Sequence, residues 1–78
     1  MTREARRLRV IRADMEPRAW SQAKTARASG LALYRYWQLE NGDGPGPSSE
    51  ERHAVAKALG VTVGDIAWPE IVAVASRA

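Results

Sequence analysis

Apolar residues recur at helical spacing in several short segments of this chain. Leu8, Ile11 and Met15 fall on one face of a helix, so the pattern predicts a first helix over residues 1–15. Pro17 disfavours helical backbone in the residue before it, so that helix should end at or before Glu16. Further apolar segments follow, separated by glycine, proline and serine. The pattern predicts an all-α domain, a compact bundle of about five short helices.

The segment from Ser21 to Gly42 has the features of two short helices joined by a tight turn. Ser21 can cap a helix over residues 22–28, and Gly30 can adopt the positive φ that ends it. Ala26 is small enough for two helices to cross closely at that point. Asn41-Gly42 suits a left-handed cap at the end of the second helix. Together these features predict a helix-turn-helix.

The second half of the chain contains two further helix-start patterns. Ser48-x-x-Glu51 is a capping box, and it opens a helix that we expect to run to Leu59 and stop at Gly60. Thr62-x-x-Asp65 predicts a short helix through residues 66–68. The segment 70–78 fits either a helix or a β-strand. The residues expected to be buried in this half are Val55, Ala56 and Leu59.

Several of these motifs, taken together, resemble the lambda-repressor/Cro-like (XRE-type) helix-turn-helix DNA-binding family. The resemblance rests on Ser21-Gln22, Ala26, Gly30 and the run Leu39-Glu40-Asn41-Gly42. It extends to Leu8-Arg9-x-x-Arg12 on one side and to Pro47-Ser48 and Ala56–Val61 on the other, and so covers residues 8–66. The chain departs from the family at 16–19, where the family has a shorter connection. The resemblance implies one lambda-repressor-like domain over residues 1–78, with a core at 8–66 and a tail or dimerisation segment at 67–78.

The resemblance also implies which residues contact DNA. Residues 32–39 match the recognition helix, which lies in the major groove in this family. The positions that match base-contacting positions are Leu33, Tyr34, Arg35 and Gln38. Arg35 can bond a guanine, Gln38 an adenine or a phosphate, and Leu33 a thymine methyl group. A phosphate contact is implied for Gln22, at the N-terminus of the first motif helix. Phosphate contacts are also open to two residues that we expect to face solvent, Lys24 and Arg27.

Other positions have structural roles by the same comparison. The resemblance implies an ion pair between Arg12 and Glu40 that braces the first helix against the end of the recognition helix. Tyr36 matches a core position, and its hydroxyl group then needs a partner. Ala32 stands where the family has a Ser or Thr cap. Trp37 matches an exposed position, where it can pack on the 16–19 segment, contact DNA or join a protein interface.

Charge is distributed unevenly along the 78 residues, whose net charge is +3. Residues 1–35 carry +6 and residues 36–78 carry −3. A basic half that contains the helix-turn-helix pattern is typical of a nucleic-acid-binding protein, although a solvated helix face also explains some of it. The arginines before residue 13 have two open interpretations, phosphate contact and solubility; they are Arg3, Arg6, Arg7, Arg9 and Arg12.

Composition argues against several classes of protein. The chain has no cysteine, and its one histidine, His53, has no second plausible ligand nearby, so we expect neither a metal site, nor a cofactor, nor an enzyme. No apolar run approaches the length of a membrane span, and the N-terminus has no apolar signal core. We therefore expect a cytoplasmic, nucleoid-associated protein without a small-molecule ligand.

Two hypotheses of function remain. In the first, the chain is a transcriptional regulator, a small Cro-type or phage-like repressor that binds double-stranded DNA as a homodimer. The apolar residues at 71, 72 and 74 are the candidate dimer contact, the alternative being a tail folded onto its own core. In the second hypothesis the chain is a protein-binding module, such as an antitoxin or anti-repressor, that uses the surface of Leu33, Tyr34 and Trp37.

Overall fold

The computed structural model describes residues 4–69, and the regular structure in that range is helical. It contains α1 (Leu8–Ala13), α2 (Gln22–Ala28), α3 (Leu33–Asn41) and α4 (Ser49–Leu59), followed by a 3₁₀ turn (Val63–Asp65). The all-α class is confirmed. These residues hold four α-helices and one 3₁₀ turn, where about five short helices were expected.

The ends of α2 and α3 are fixed by local chemistry. The Ser21 hydroxyl accepts a hydrogen bond from the Lys24 amide at 3.0 Å, as its predicted capping role requires. Gly30 has a φ of +73° and ends α2, and Gly42 has a φ of +71° at the end of α3. Ala32 precedes α3 and offers no side-chain cap. The predicted bounds of α2 are confirmed.

α4 has the predicted caps at both ends. The Ser48 hydroxyl accepts from the Glu51 amide at 3.1 Å, and the Glu51 carboxylate accepts from the Ser48 amide at 2.9 Å. Gly60 ends the helix with a φ of +74°. The capping box and the predicted end of α4 are therefore confirmed.

The helices enclose one small core in which α2 packs against both α3 and α4. Tyr36 is completely buried and is the largest of the fully buried side chains. Two hydroxyl groups, one on α2 and one on the residue that follows it, are buried, and each donates to a backbone carbonyl: Thr25 to Ser21 at 3.0 Å and Ser29 to Thr25 at 2.7 Å. The buried apolar residues are Leu8, Ile11, Ala26, Tyr36, Leu39, Val55, Ala56, Leu59 and Ile66.

Several predicted helix bounds differ from the structure: the first helix, predicted over 1–15, spans Leu8–Ala13, and the recognition helix, predicted over 32–39, spans Leu33–Asn41. The errors at the start of the first helix and at the end of the last have the same cause. Residues 4–7 are not helical, because the Arg6 amide donates to the Asp65 carbonyl at 3.0 Å and the Ala67 amide donates to the Arg6 carbonyl at 2.8 Å. Arg6 and Ile66 therefore form an isolated parallel β-bridge. The same pairing ends the last helical turn at Asp65, well before Trp68.

Some predictions lie outside the described residues. They include a contact from Arg3 and all but the first three residues of the tail or dimerisation segment at 67–78. The 16–19 segment is described, and it forms a loop after α1. The Trp20 amide donates to the Arg12 carbonyl at 2.9 Å, so the chain returns to the end of α1 before α2 begins.

Candidate nucleic-acid interface

The outer surface of α3 is apolar and exposed. Leu33, Tyr34 and Trp37 are 51%, 66% and 39% exposed, and together they form what we call the α3 face. The rings of Tyr34 and Trp37 stack at 5.8 Å between centroids and 12° between planes. With Gln22 these residues line an open groove of about 530 Å³. The structure thus brings together three residues that the sequence assigned to DNA contact, Gln22, Leu33 and Tyr34, and adds Trp37 to them.

Arg35 points away from the α3 face. Its Nε and Nη2 atoms each donate to one carboxylate oxygen of Glu51 at 2.8 Å. Nη1 also donates to the Pro45 carbonyl at 2.9 Å, and Nη2 to the Gly46 carbonyl at 3.1 Å. This group of contacts, which we call the Arg35 clamp, connects α3 to the 43–48 loop and to the start of α4. A base contact from Arg35 would require these bonds to break.

The Arg35 clamp changes the protonation equilibria of both partners. The hydrogen bonds from the Arg35 guanidinium lower the pKa of the Glu51 carboxyl to about 2. The hydrogen bond to Glu51 in turn raises the pKa of Arg35. Only 21% of the Arg35 side chain and 20% of the Glu51 side chain are exposed, so water screens this pair less than a fully exposed one.

Gln38 lies on the same side of α3 as the clamp. Its Oε1 atom accepts from Arg35 Nη1 at 3.3 Å. Its amide also packs so closely against Gly44 that a Cβ atom at that glycine would overlap it. Arg35 and Gln38 therefore face the loop, whereas Leu33, Tyr34 and Trp37 face outward.

Glu40 is the centre of a partly buried hydrogen-bond network behind the α3 face. Arg12 donates to both of its carboxylate oxygens at 2.8 Å, so the ion pair implied by the family resemblance is present in spite of the longer 16–19 connection. Gln22 Nε2 donates to Glu40 at 2.9 Å, and the Tyr36 hydroxyl donates to Glu40 at 2.7 Å. Arg12 also donates to the Trp20 carbonyl at 2.8 Å. The network joins α1, α2 and α3.

The Glu40 network keeps its carboxylate charged. Burial acts to raise the pKa of Glu40, but the hydrogen bonds from Arg12, Tyr36 and Gln22 outweigh it and leave that pKa below its ordinary value. The hydrogen bond to Glu40 raises the pKa of Arg12. Burial and the neighbouring carboxylate raise the pKa of the Tyr36 hydroxyl. The predicted core position of Tyr36 is confirmed, and Glu40 is the partner that its hydroxyl requires.

The cations of α2 differ in their surroundings. Lys24 Nζ lies 4.7 Å from the centroid of the Trp20 ring, a cation–π contact on a half-buried aromatic residue. Arg27 is exposed and has no acidic partner within residues 4–69.

Arg7 and Arg9 lie beside α3, in a place that the sequence pattern did not indicate. They line a hollow of about 430 Å³ next to Gln22, Trp37, Glu40 and Asn41. Glu40 pairs with Arg12, and neither Arg7 nor Arg9 forms an ion pair in the described part of the chain. Two neighbouring arginines differ, because Arg6 pairs with Asp14 at 2.7 Å and Arg12 pairs with Glu40. Nothing in the sequence separates these four arginines, since their partners are distant in the chain.

Comparison with known proteins adds no assignment: no family model, curated protein or solved structure matches the chain. Within residues 4–69, no helix has both the length and the apolar character needed to cross a membrane. The same residues contain no cluster of His, Asp or Glu side chains suited to holding a metal ion.

Proposed function

We propose that this chain is a sequence-specific double-stranded DNA-binding transcriptional regulator, a small Cro-type repressor with a lambda-repressor-like helix-turn-helix domain. One observation carries the proposal. α2 and α3 are joined by a tight turn at Gly30, and the outer face of α3 is exposed beside arginines that have no acidic partner in residues 4–69. A helix exposed in this way has the dimensions to enter the major groove.

The proposed binding mode divides the contacts between bases and phosphates. Leu33, Tyr34 and Trp37 face the base edges. Cations at the start of α1 and on α2 contact phosphates, which supply affinity and fix the register without reading sequence. These cations are Arg7, Arg9, Lys24 and Arg27. Arg35 serves here by holding α3 against the loop and α4 through the Arg35 clamp.

We further propose that the regulator acts as a homodimer in the cytoplasm, associated with the nucleoid. Two recognition helices would then enter successive major grooves about 34 Å apart on a near-palindromic site. Apolar residues at 71, 72 and 74, outside the described range, are the proposed dimer contact. A dimer would double the phosphate contacts and so steepen the response to salt.

Selection of bound duplexes from a random DNA pool tests the proposal. We expect an enriched near-palindrome. The double variant Arg7→Ala/Arg9→Ala should weaken binding about equally on all sequences, because phosphate contacts carry no sequence information. Lys57→Ala, which removes an exposed cation of α4, is the matched control and should bind as the wild type does. A pool that stays random after repeated rounds would contradict the proposal.

A second candidate function is supported by the apolar character of the α3 face. Two stacked aromatic rings and an exposed leucine around an open groove are also suited to a protein partner, as in an antitoxin or anti-repressor. Such a contact depends on apolar burial and responds little to salt, whereas phosphate binding responds steeply. The salt dependence of binding therefore separates the two candidates.

A further inference from the structure

The arginine and the two amide side chains of α3 have hydrogen-bond partners within the protein. The Arg35 guanidinium is bound by Glu51 and two carbonyls, and Gln38 Oε1 accepts from Arg35. Asn41 Nδ2 donates to the Trp37 carbonyl at 2.9 Å. On the outer surface this leaves the Leu33 side chain, the rings of Tyr34 and Trp37, the Tyr34 hydroxyl and the Trp37 indole N–H. The exposed surface of α3 is therefore mainly apolar.

The thymine methyl group is the apolar group that base pairs present to this face in the major groove. In the major groove each base pair presents hydrogen-bond donors and acceptors, and thymine alone adds a methyl group, on C5. Guanine is most often read by a free arginine or lysine. α3 has no lysine, and its one arginine is held in the Arg35 clamp. An apolar face of this kind gains most from thymine methyl groups, whose burial removes apolar surface from water.

Charge around the face favours DNA as its occupant. Arg7 and Arg9 line the hollow that adjoins Trp37, and Gln22 borders both that hollow and the groove of the α3 face. Arg7 and Arg9 have no acidic partner in residues 4–69 and lie beside the apolar α3 face. This arrangement complements a duplex, in which phosphates flank a groove that contains methyl groups.

We infer that Leu33, Tyr34 and Trp37 read DNA through thymine 5-methyl groups, so that the preferred site carries A·T pairs opposite α3. The inference rests on the proposed function and specifies its substrate class. Recognition by methyl contact has a consequence that hydrogen-bond readout of the same bases does not share. Deoxyuridine pairs as thymine does and keeps O4, but it lacks the methyl group.

Replacing thymine by deoxyuridine tests the inference directly. The full chain is titrated with the selected duplex and with the same duplex carrying deoxyuridine at the thymines of one half-site. We expect about a fourfold loss of affinity for each contacted methyl removed, from the transfer free energy of a buried carbon group. Replacing a contacted thymine by cytosine should also weaken binding. Replacing it by 5-methylcytosine, which carries the methyl group, should restore part of that loss.

Two variants connect the effect to the α3 face. Leu33→Ala/Trp37→Ala removes exposed apolar groups and should bind the thymine and deoxyuridine duplexes with nearly equal affinity, with circular dichroism verifying that the fold is retained. Lys24→Ala should weaken binding to both duplexes by the same factor and leave the ratio of the two affinities unchanged. If the wild type binds both duplexes with equal affinity and steep salt dependence, the inference about methyl contacts is overturned but the proposed function is not. Failure to bind any duplex would overturn the proposed function as well.

Discussion

At the scale of single residues, Glu40 accepts four side-chain hydrogen bonds and is the centre of the network that joins α1, α2 and α3. It accepts hydrogen bonds from Arg12, Gln22 and Tyr36, and only 8% of its side chain is exposed. Removing one member of such a buried pair is costly because the other charge stays buried without a partner. The expected role of Glu40 is therefore structural.

Glu40→Ala should lower the free energy of unfolding by about 3–5 kcal/mol, because it leaves Arg12 without its ion-pair partner and the Tyr36 hydroxyl without an acceptor. Urea unfolding at neutral pH measures this loss. Glu16→Ala, at an exposed loop position, is the matched control and should change little. The double variant Arg12→Ala/Glu40→Ala should lose less than the two single losses added together. Wild-type stability in Glu40→Ala would refute the brace.

The lowered pKa of Glu51 predicts that the free energy of unfolding falls at acidic pH. Its pKa is about 2 in the folded chain, below the ordinary 4.5, so its contribution is complete above pH 4.5 and is lost as pH falls toward 2. Unfolding free energies of wild type and Glu51→Gln should therefore differ most at neutral pH and converge between pH 4.5 and 2. Glu50→Gln, one residue earlier in α4, provides the control. A difference that stays constant down to pH 2 would contradict the lowered pKa.

At the scale of helices, the chain shows which features can be predicted from local sequence. The bounds of α2 and α4 follow from serine caps and glycine stops, which act within a few residues. The N-terminal helix could not be bounded correctly, because Arg6 pairs with a segment 60 residues later through the bridge to Ile66. Helical periodicity carries no information about such a distant partner.

The start of α3 offers a local test. Ala32 has the extended φ and ψ of a capping residue, −66° and 148°, but no oxygen with which to cap the helix. Ala32→Ser should raise the free energy of unfolding by about 1 kcal/mol. Ser21→Ala, which removes the existing cap of α2, should lower it by a similar amount. Thermal unfolding of both variants checks these two predictions. An Ala32→Ser variant no more stable than wild type would show that the backbone amides at the start of α3 already have other hydrogen-bond partners.

At the scale of the whole molecule, the uneven charge along the chain becomes a spatial arrangement only through folding. The sequence indicated a basic half, but not which arginines remain without an acidic partner. Tertiary contacts decide that: Glu51 binds Arg35, Glu40 binds Arg12, and within residues 4–69 Arg7 and Arg9 are left without an acid beside α3. Leu33 and Tyr34 were expected at the surface from their match to base-contacting positions of the family, and both are exposed. Arg35 and Gln38 were expected there by the same match, but tertiary contacts turn them toward the loop.

The salt dependence of duplex binding tests the central claim most directly. With four phosphate contacts in each protomer, log affinity should fall against log salt with a slope of about −3.6, a loss of about 10²-fold between 50 and 200 mM, and more steeply for a dimer. Fluorescence anisotropy on a selected duplex measures this slope. A steep linear fall is the result that the proposed DNA contact predicts. Binding that hardly changes over the same range would contradict it and favour a protein partner on the α3 face.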